Sequence, residues 1–295
     1  MGGGGHHSNG GRGLPDPGVA VPPGRTGGHS VLLHQARPGL AAGILCARAA
    51  EGPQGPGEEV NLEELKLVPF QCRPLDDMLS GGIESGCLTL IYGEAGTGKT
   101  NLCLTLAKNL AQEGRKTIYV DSEGISLLRL RNIAGDDQER VLKEILVSEV
   151  HSLEDQDRMI VKAIKLAEGN PDVGLIVVDS MTMFYRLASK DDERAERRVL
   201  AGQSAKLLTA ARKLNLPVVV TSQVYTDVET GTFEALGGNV LHHNAKTIIR
   251  IEKLAPSKRR AVLMKHRNLA EGRFGVFYLT DKGIEAEPQS SRPTA

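Results

Sequence analysis

The chain contains no tryptophan, and all aromatic residues together make up 3% of its 295 positions. So few rings exclude a core or a ligand groove built on stacked aromatics. Net charge is absent too, since 36 lysines and arginines balance 36 aspartates and glutamates. That balance excludes attraction to a polyanion by an overall field; nucleic acid would have to be held by a local patch. No apolar run approaches the ~20 residues that a membrane span requires. The first residues run through glycine and histidine without the apolar stretch of a secretory signal, and the scattered Arg12, Arg25, Arg37 and Arg48 make no amphipathic transit helix. Cysteine is scarce, with Cys46, Cys72, Cys87 and Cys103 forming neither a CxxC pair nor a metal-ligand spacing. Reduced thiols in a cytoplasmic protein are the expectation.

Glycine and proline are plentiful but uneven. Residues 1–59 hold 16 of the 34 glycines and 7 of the 14 prolines, with no aromatic residue. Such a segment cannot bury enough apolar surface to offset the entropy of ordering, so it is expected to be disordered, as is the tail 288–295. Polarity and periodicity switch on abruptly at Val60, which raises a second reading: translation starting there from an alternative codon. The folded unit is expected over residues 60–287, long enough for a substantial core.

Within that unit, short apolar runs alternate with helical periodicity. Strands are expected at 87–92, 117–121, 144–149, 175–179 and 217–223, and helices at 75–79, 100–113, 126–134, 153–167 and 192–215. Continuous apolar strands separated by helices imply a parallel sheet covered on both faces. After about residue 245 the helices stop. Strands at 247–251, 261–265 and 275–279 imply an antiparallel extension of the sheet. The fold class is α/β.

Gly93-Glu94-Ala95-Gly96-Thr97-Gly98-Lys99-Thr100 fits GxxxxGK[ST], directly after an apolar strand and at the start of a helix. The glycines let the backbone turn its N–H groups inward, and the helix N-terminus adds positive potential, so the loop forms an anion nest. Lys99 is placed between β- and γ-phosphates, and the Thr100 hydroxyl on Mg²⁺. Leu175-Ile176-Val177-Val178-Asp179 delivers an aspartate to the carboxyl end of a strand, where parallel sheets place ligands, and Asp179 is the second Mg²⁺ residue. Asp121-Ser122-Glu123-Gly124 ends the strand after the first helix, and Glu123 is placed to polarise a water attacking the γ-phosphate. Gln223 closes an apolar strand at the same sheet edge, as a γ-phosphate sensor or a plain strand cap. ATP and Mg²⁺ are therefore the expected cofactors.

Residues from about 60 to 285 resemble the ATPase core of the RecA/RadA recombinases, and within them most closely the archaeal RadB branch. The matching pieces are LDDMLSGGIESG at 75–86, IYGEAGTGKTN at 91–101, YVDSEG at 119–124, LIVVDS at 175–180, TSQV at 221–224 and GGNV at 237–240. The resemblance implies a RecA-like P-loop fold, ATP binding with slow hydrolysis, and a role in homologous recombination and DNA repair. It implies that Lys99 contacts phosphate, that Thr100 and Asp179 hold Mg²⁺, that Glu123 activates water, and that Gln223 couples nucleotide to DNA. It adds Asn101 to the phosphate-loop residues and puts Arg129 beside the adenine; a surface helix arginine is the other reading of Arg129. Two departures point to an accessory or mediator role. Residues 1–59 cannot fold into a helical DNA-binding domain, and Phe70 is followed by Arg73 where the polymerisation motif Phe-x-x-Ala has alanine.

Contact with DNA, single-stranded first, has fewer residues to rest on. In the resemblance two loops face DNA, here 188–198 and 225–238. The first mixes charges as a solvated helix face does, and the second has no basic residue. The better cluster is Lys258-Arg259-Arg260, read as a turn, with Lys265 and Arg267 alternating along a strand. In oligomeric relatives, basic residues in this region reach a neighbour's γ-phosphate. A main recombinase or a Holliday-junction nuclease is the further partner implied. Two other readings of the fold stay open. One is a KaiC-like signalling ATPase without a DNA role, against which stands Glu123-Gly124 where a Glu-Glu pair belongs; the other is an ATP-binding scaffold for recombination proteins.

Overall fold

The computed structural model describes residues 66–185, 193–226 and 233–287. The expected disordered segment, the tail, and parts of both expected DNA loops lie outside the described residues.

Strand β1 (Leu67–Val68) and β2 (Ile83–Glu84) form a small antiparallel ribbon around α1 (Arg73–Met78). Then follow β3 (Leu88–Gly93), α2 (Lys99–Gln112), β4 (Lys116–Asp121), α3 (Leu127–Ala134), α4 (Gln138–Glu144), β5 (Ile145–Glu149), α5 (Leu153–Gly169), β6 (Val173–Asp179), α6 (Glu193–Leu214) and β7 (Val218–Ser222). Strands β8 (Val224–Thr226) and β9 (Phe233–Ala235) pair as a separate ribbon, followed by α7 (Gly238–Asn244). The chain closes with β10 (Thr247–Lys253), β11 (Lys258–Lys265), β12 (Phe274–Thr280) and β13 (Gly283–Glu285).

The main sheet has nine strands in the order β13-β12-β11-β10-β3-β7-β6-β4-β5. Strands β10, β3, β7, β6, β4 and β5 run parallel, while β11, β12 and β13 continue antiparallel from β10. The expected parallel sheet with an antiparallel C-terminal extension is present, with one correction: the first strand assigned to the extension, 247–251, is β10, which pairs parallel with β3, so the extension begins at β11. Side chains of a strand alternate between faces, and both faces of this sheet are covered. Ile91 of β3 therefore joins the core beneath α1, α2, α3 and α4, while Leu88, Leu90 and Tyr92 join the core beneath α5, α6 and α7. All six residues of β3 are buried, so its sequence shows a continuous apolar run rather than an alternating one.

Two expectations are corrected. Lys258, Arg259 and Arg260 are not a turn but the first residues of β11. Lys265 ends that strand and Arg267 lies beyond it, so the two do not share a strand face. Three consecutive cations look like a solvated tip, yet β10 supplies backbone partners for each of Arg259 and Arg260, whose side chains then alternate between faces. Phe70 is buried within the chain's own core, at 2% exposure, beside Leu75 and Leu79. Among the described residues no helix is long and apolar enough to cross a membrane.

Candidate nucleotide site

The carboxyl ends of β3, β4, β6 and β7 converge, as register requires of adjacent parallel strands: Asp121 lies opposite Asp179, and Tyr92 opposite Ser222. From β3 the chain turns through Glu94, Ala95, Gly96 and Thr97 into α2. Gly96 and Gly98 adopt positive φ, +72° and +98°. A Cβ on Gly98 would lie 2.7 Å from Leu279, and one on Gly93 would lie 2.5 Å from the Ile251 carbonyl oxygen. Thr97 is buried and its hydroxyl donates to the Glu94 carbonyl at 2.8 Å, fixing the loop from inside.

Lys99 is the first residue of α2 and is 7% exposed. Its Nζ donates to the carbonyls of Gly93 at 2.8 Å and Glu94 at 3.1 Å. Burial lowers its pKa, and the negative charges of Glu123 and Asp179 oppose that shift. Asp179 ends β6 and is 2% exposed. Tyr119 donates to its Oδ2 at 2.7 Å, and the Thr221 hydroxyl and Thr100 also bond it. Burial holds its carboxyl above the usual carboxylate range despite those three bonds, and Glu123 adds to the rise.

Glu123 stands on a loop that its neighbour builds. The Asp121 carboxylate, 3% exposed, accepts from the backbone N–H groups of Glu123, Gly124 and Ile125 at 3.1, 2.9 and 2.6 Å. Ser122 cross-links the ends of β4 and β6, accepting from the Ser180 N–H at 2.8 Å and donating to its carbonyl at 2.9 Å. The Asp179–Ser180 peptide is cis. Gln223 Nε2 donates to Glu123 Oε1 at 2.9 Å across 100 residues of chain. Arg129 on α3 donates to Asn101 Oδ1 at 2.8 Å and to the Asp281 carbonyl at 3.3 Å, at the outer end of α2.

A buried ammonium with only carbonyl partners, a buried carboxylate beside a hydroxyl, and a glycine cradle fit a polyphosphate and a divalent cation. Among the described residues no group of three or more His, Cys, Asp and Glu side chains is placed to hold a metal ion, so a cation here would rest on Thr100, Asp179 and the phosphates themselves.

A family model described as Rad51 matches residues 63–287. The chain belongs to the RadB branch of the Rad51 family. A DNA repair and recombination protein RadB from Methanococcoides burtonii is 41% identical over 215 residues, 72% of this chain and 95% of the relative. That of Archaeoglobus fulgidus is 42% identical over 221 residues, 74% of this chain and 98% of the relative. A solved structure described as the RadB recombinase matches with a TM-score of 0.66 and 34% identity, covering 75% of this chain and all of that one.

The residues suggested for DNA do not form one cluster: Arg259 lies against the phosphate loop and the others stand in different settings. Lys258 Nζ lies 5.7 Å from the centre of the Tyr278 ring. Arg260 pairs with Glu252 at 2.5 Å, a carboxylate that also holds Arg250 at 2.7 Å. Lys265 Nζ donates to the His242 carbonyl at 2.6 Å. Arg267 holds Glu84, itself 2% exposed, at 2.7 Å. Arg259 is buried at 6% exposure and donates through Nη2 to the Gly96 carbonyl at 3.1 Å. Sequence reasoning missed Asp121, Tyr119 and Thr221 as site residues. Each sits within a motif already singled out, and the available signal was a polar residue placed inward on an otherwise apolar strand end.

Proposed function

We propose that this chain is an ATP-dependent DNA-binding protein of homologous recombination and repair, cytoplasmic, with weak ATPase activity and an accessory role beside a main recombinase. The observation that carries the reading is the meeting of Lys99, Thr100, Asp179, Glu123 and Gln223 at one end of the parallel strands. The printed names of the relatives supply the repair and recombination context.

In this reading the loop 93–98 and Lys99 bind the β- and γ-phosphates, and Thr100 and Asp179 would hold Mg²⁺. Mg²⁺ supplies positive charge against the phosphate oxygens when bound. Phosphoryl transfer rests on positioning and electrostatics, and the chain supplies both. Lys99 turns its ammonium from the carbonyls of Gly93 and Glu94 to the phosphates. Glu123, held by the Asp121 brace, orients a water and accepts its proton. Gln223 releases or keeps Glu123 Oε1 according to what stands before it, and it joins β7 to β8, so a change at Gln223 reaches β8. Arg129 and Asn101 form the wall beside the base.

Filter binding of single-stranded DNA with and without ATP, over a salt series, tests the reading. ATP is expected to raise affinity in the wild type and to have no effect in Lys99→Ala, which loses nucleotide binding. Tight ATP binding by Lys99→Ala refutes the phosphate-loop assignment. ATP binding without any DNA affinity favours the KaiC-like or scaffold readings.

A further inference from the structure

The start of β11 does something the sequence gives no hint of. Lys253 and Arg259 are direct cross-strand partners in the β10–β11 ladder, so both side chains leave the sheet on the same face. That face is turned to the phosphate loop. Arg259 Nη2 donates to the Gly96 carbonyl at 3.1 Å, while Nη1 donates to the carbonyls of Ala255, Pro256 and Lys258 at 2.9, 3.1 and 3.0 Å. One guanidinium thus ties the β10–β11 hairpin to the phosphate loop. Lys253 Nζ lies 3.7 Å from the point where a Cβ on Gly96 would stand, and its charge acts on that of Lys99.

Like charges placed directly opposite on one sheet face repel, and a buried arginine ordinarily has an acid beside it. Neither rule is met here. Arg259 is 6% exposed, and its hydrogen-bond partners among the described residues are backbone carbonyls. Glu252, the nearest acid along the strand, faces the other way and is held by Arg250 and Arg260. Among the described residues neither cation has a carboxylate partner; Lys253 is exposed beside the loop, and the buried Arg259 makes sense when the missing counter-charge belongs to the ligand.

We propose that the end of the β10–β11 ladder is a second part of the phosphate site, in which Arg259 positions the phosphate loop and Lys253 supplies a further ammonium to the nucleotide's polyphosphate. The inference rests on the nucleotide-binding reading above. The two residues differ in what they require. Arg259 needs its planar fork, because two groups of acceptors must be held at once. Lys253 needs only a charge.

Two measurements on the full chain separate these roles. The first is hydrogen exchange of amides 94–98 without nucleotide, against those of β6 as an internal reference. Arg259→Lys keeps the charge but not the fork, and is expected to speed exchange in the loop at least about tenfold while leaving β6 unchanged. Lys253→Met is expected to leave loop exchange as in the wild type. The second is binding of a fluorescent ATP analogue with Mg²⁺. Lys253→Met is expected to weaken it about tenfold, and Lys253→Arg to restore it. Unchanged loop exchange in Arg259→Lys overturns the positioning role. Wild-type affinity in Lys253→Met, or equal loss in Lys253→Arg, overturns the charge role. A wild type that does not bind the analogue overturns the nucleotide reading instead, while the exchange experiment still tests the brace.

Discussion

Asp121 offers the sharpest test of how the site is built, because its carboxylate faces its own chain. Three backbone N–H groups converge on it, the shortest contact being Ile125 N–H to Oδ2 at 2.6 Å. A hydrogen bond to a charged partner contributes about 1.5–3 kcal/mol, but three bonds sharing one acceptor do not add. The Glu123 side chain is exposed, so part of the loop rehydrates when the carboxylate is removed. Asp121→Ala is therefore expected to cost about 3 kcal/mol, and Asp121→Asn, which keeps one acceptor oxygen but turns an amide N–H₂ toward the donors, about 2 kcal/mol. Glu123→Gln, at an exposed position, is expected to stay within about 0.5 kcal/mol of the wild type. Turnover should follow a different order. Glu123→Gln removes the base, a loss of about 100-fold or more, and Asp121→Asn misplaces it, a loss of at least about tenfold. Nucleotide affinity should hardly change in Asp121→Asn and should not fall in Glu123→Gln, which removes a negative charge that acts on Lys99. Urea unfolding, phosphate release under saturating ATP and fluorescent-nucleotide titration read the three quantities. If Asp121→Asn loses stability yet turns over ATP as fast as the wild type, the brace does not position Glu123 and the reasoning fails.

Other outcomes follow from burial. Burial raises the Asp179 carboxyl pKa, so protons compete with Mg²⁺ there at a pH where ordinary carboxylates are still ionised. Mg²⁺-dependent nucleotide binding should weaken on acidification above the usual aspartate pKa of about 3.9, while Asp179's own contribution to folding stability moves the opposite way, being greatest at low pH and lost as pH rises through the raised value. Calorimetric Mg²⁺ titrations at several pH values check the first, acid and urea unfolding the second. Burial pushes the Cys72 and Cys87 thiols up to about 11, and the fully buried Cys103 thiol is also raised well above the ordinary value. Iodoacetamide near neutral pH should therefore leave all three unlabelled in the native protein and label them after unfolding, as read by peptide mapping. Arg267→Ala leaves the buried Glu84 carboxylate with Asn268 and Cys87 as hydrogen-bond partners but no paired guanidinium, and should cost about 2 kcal/mol, partly recovered by adding Glu84→Gln; urea unfolding of the single and double variants checks both.

What could be read from the sequence depended on how far apart the cooperating residues lie. The phosphate loop is contiguous, and its eight residues carry their own context of strand before and helix after. Asp179 stood out because a strand buried on both faces has no other polar residue to hide it, and Glu123 and Gln223 because each follows the end of such a strand within two residues. The helices α4 and α7, seven residues each, went unseen, being two turns long with too few positions to show a period. Arg259 was misread for a different reason. A run of three cations carries no sign of which will face inward; only the pairing of β10 with β11 decides that Lys258 and Arg260 share one face and Arg259 takes the other. Lys265 and Arg267 failed in the same manner, because the strand ends between them and each turns to its own partner, the His242 carbonyl and Glu84.

The C-terminal strands, the parallel β10 and the antiparallel extension beyond it, look like an appendix to the sheet but form the outer wall of the phosphate loop. Ile251 of β10 presents its carbonyl to Gly93, Leu279 of β12 closes on Gly98, Arg259 of β11 holds the Gly96 carbonyl, and Asp281 receives Arg129. The loop glycines answer two demands, the backbone's positive φ at Gly96 and Gly98 and the wall's close approach at Gly93 and Gly98. Gly98 combines positive φ with a neighbour too close for a Cβ, whereas Gly93, whose φ is not positive, is required by close approach alone. A motif short enough to arise by chance in a sequence is held here by residues more than 150 positions away. The candidate nucleotide site is therefore a property of the whole sheet from β12 to β4, and any change that loosens β11 from β10 should reach the loop 93–98 before it reaches the core.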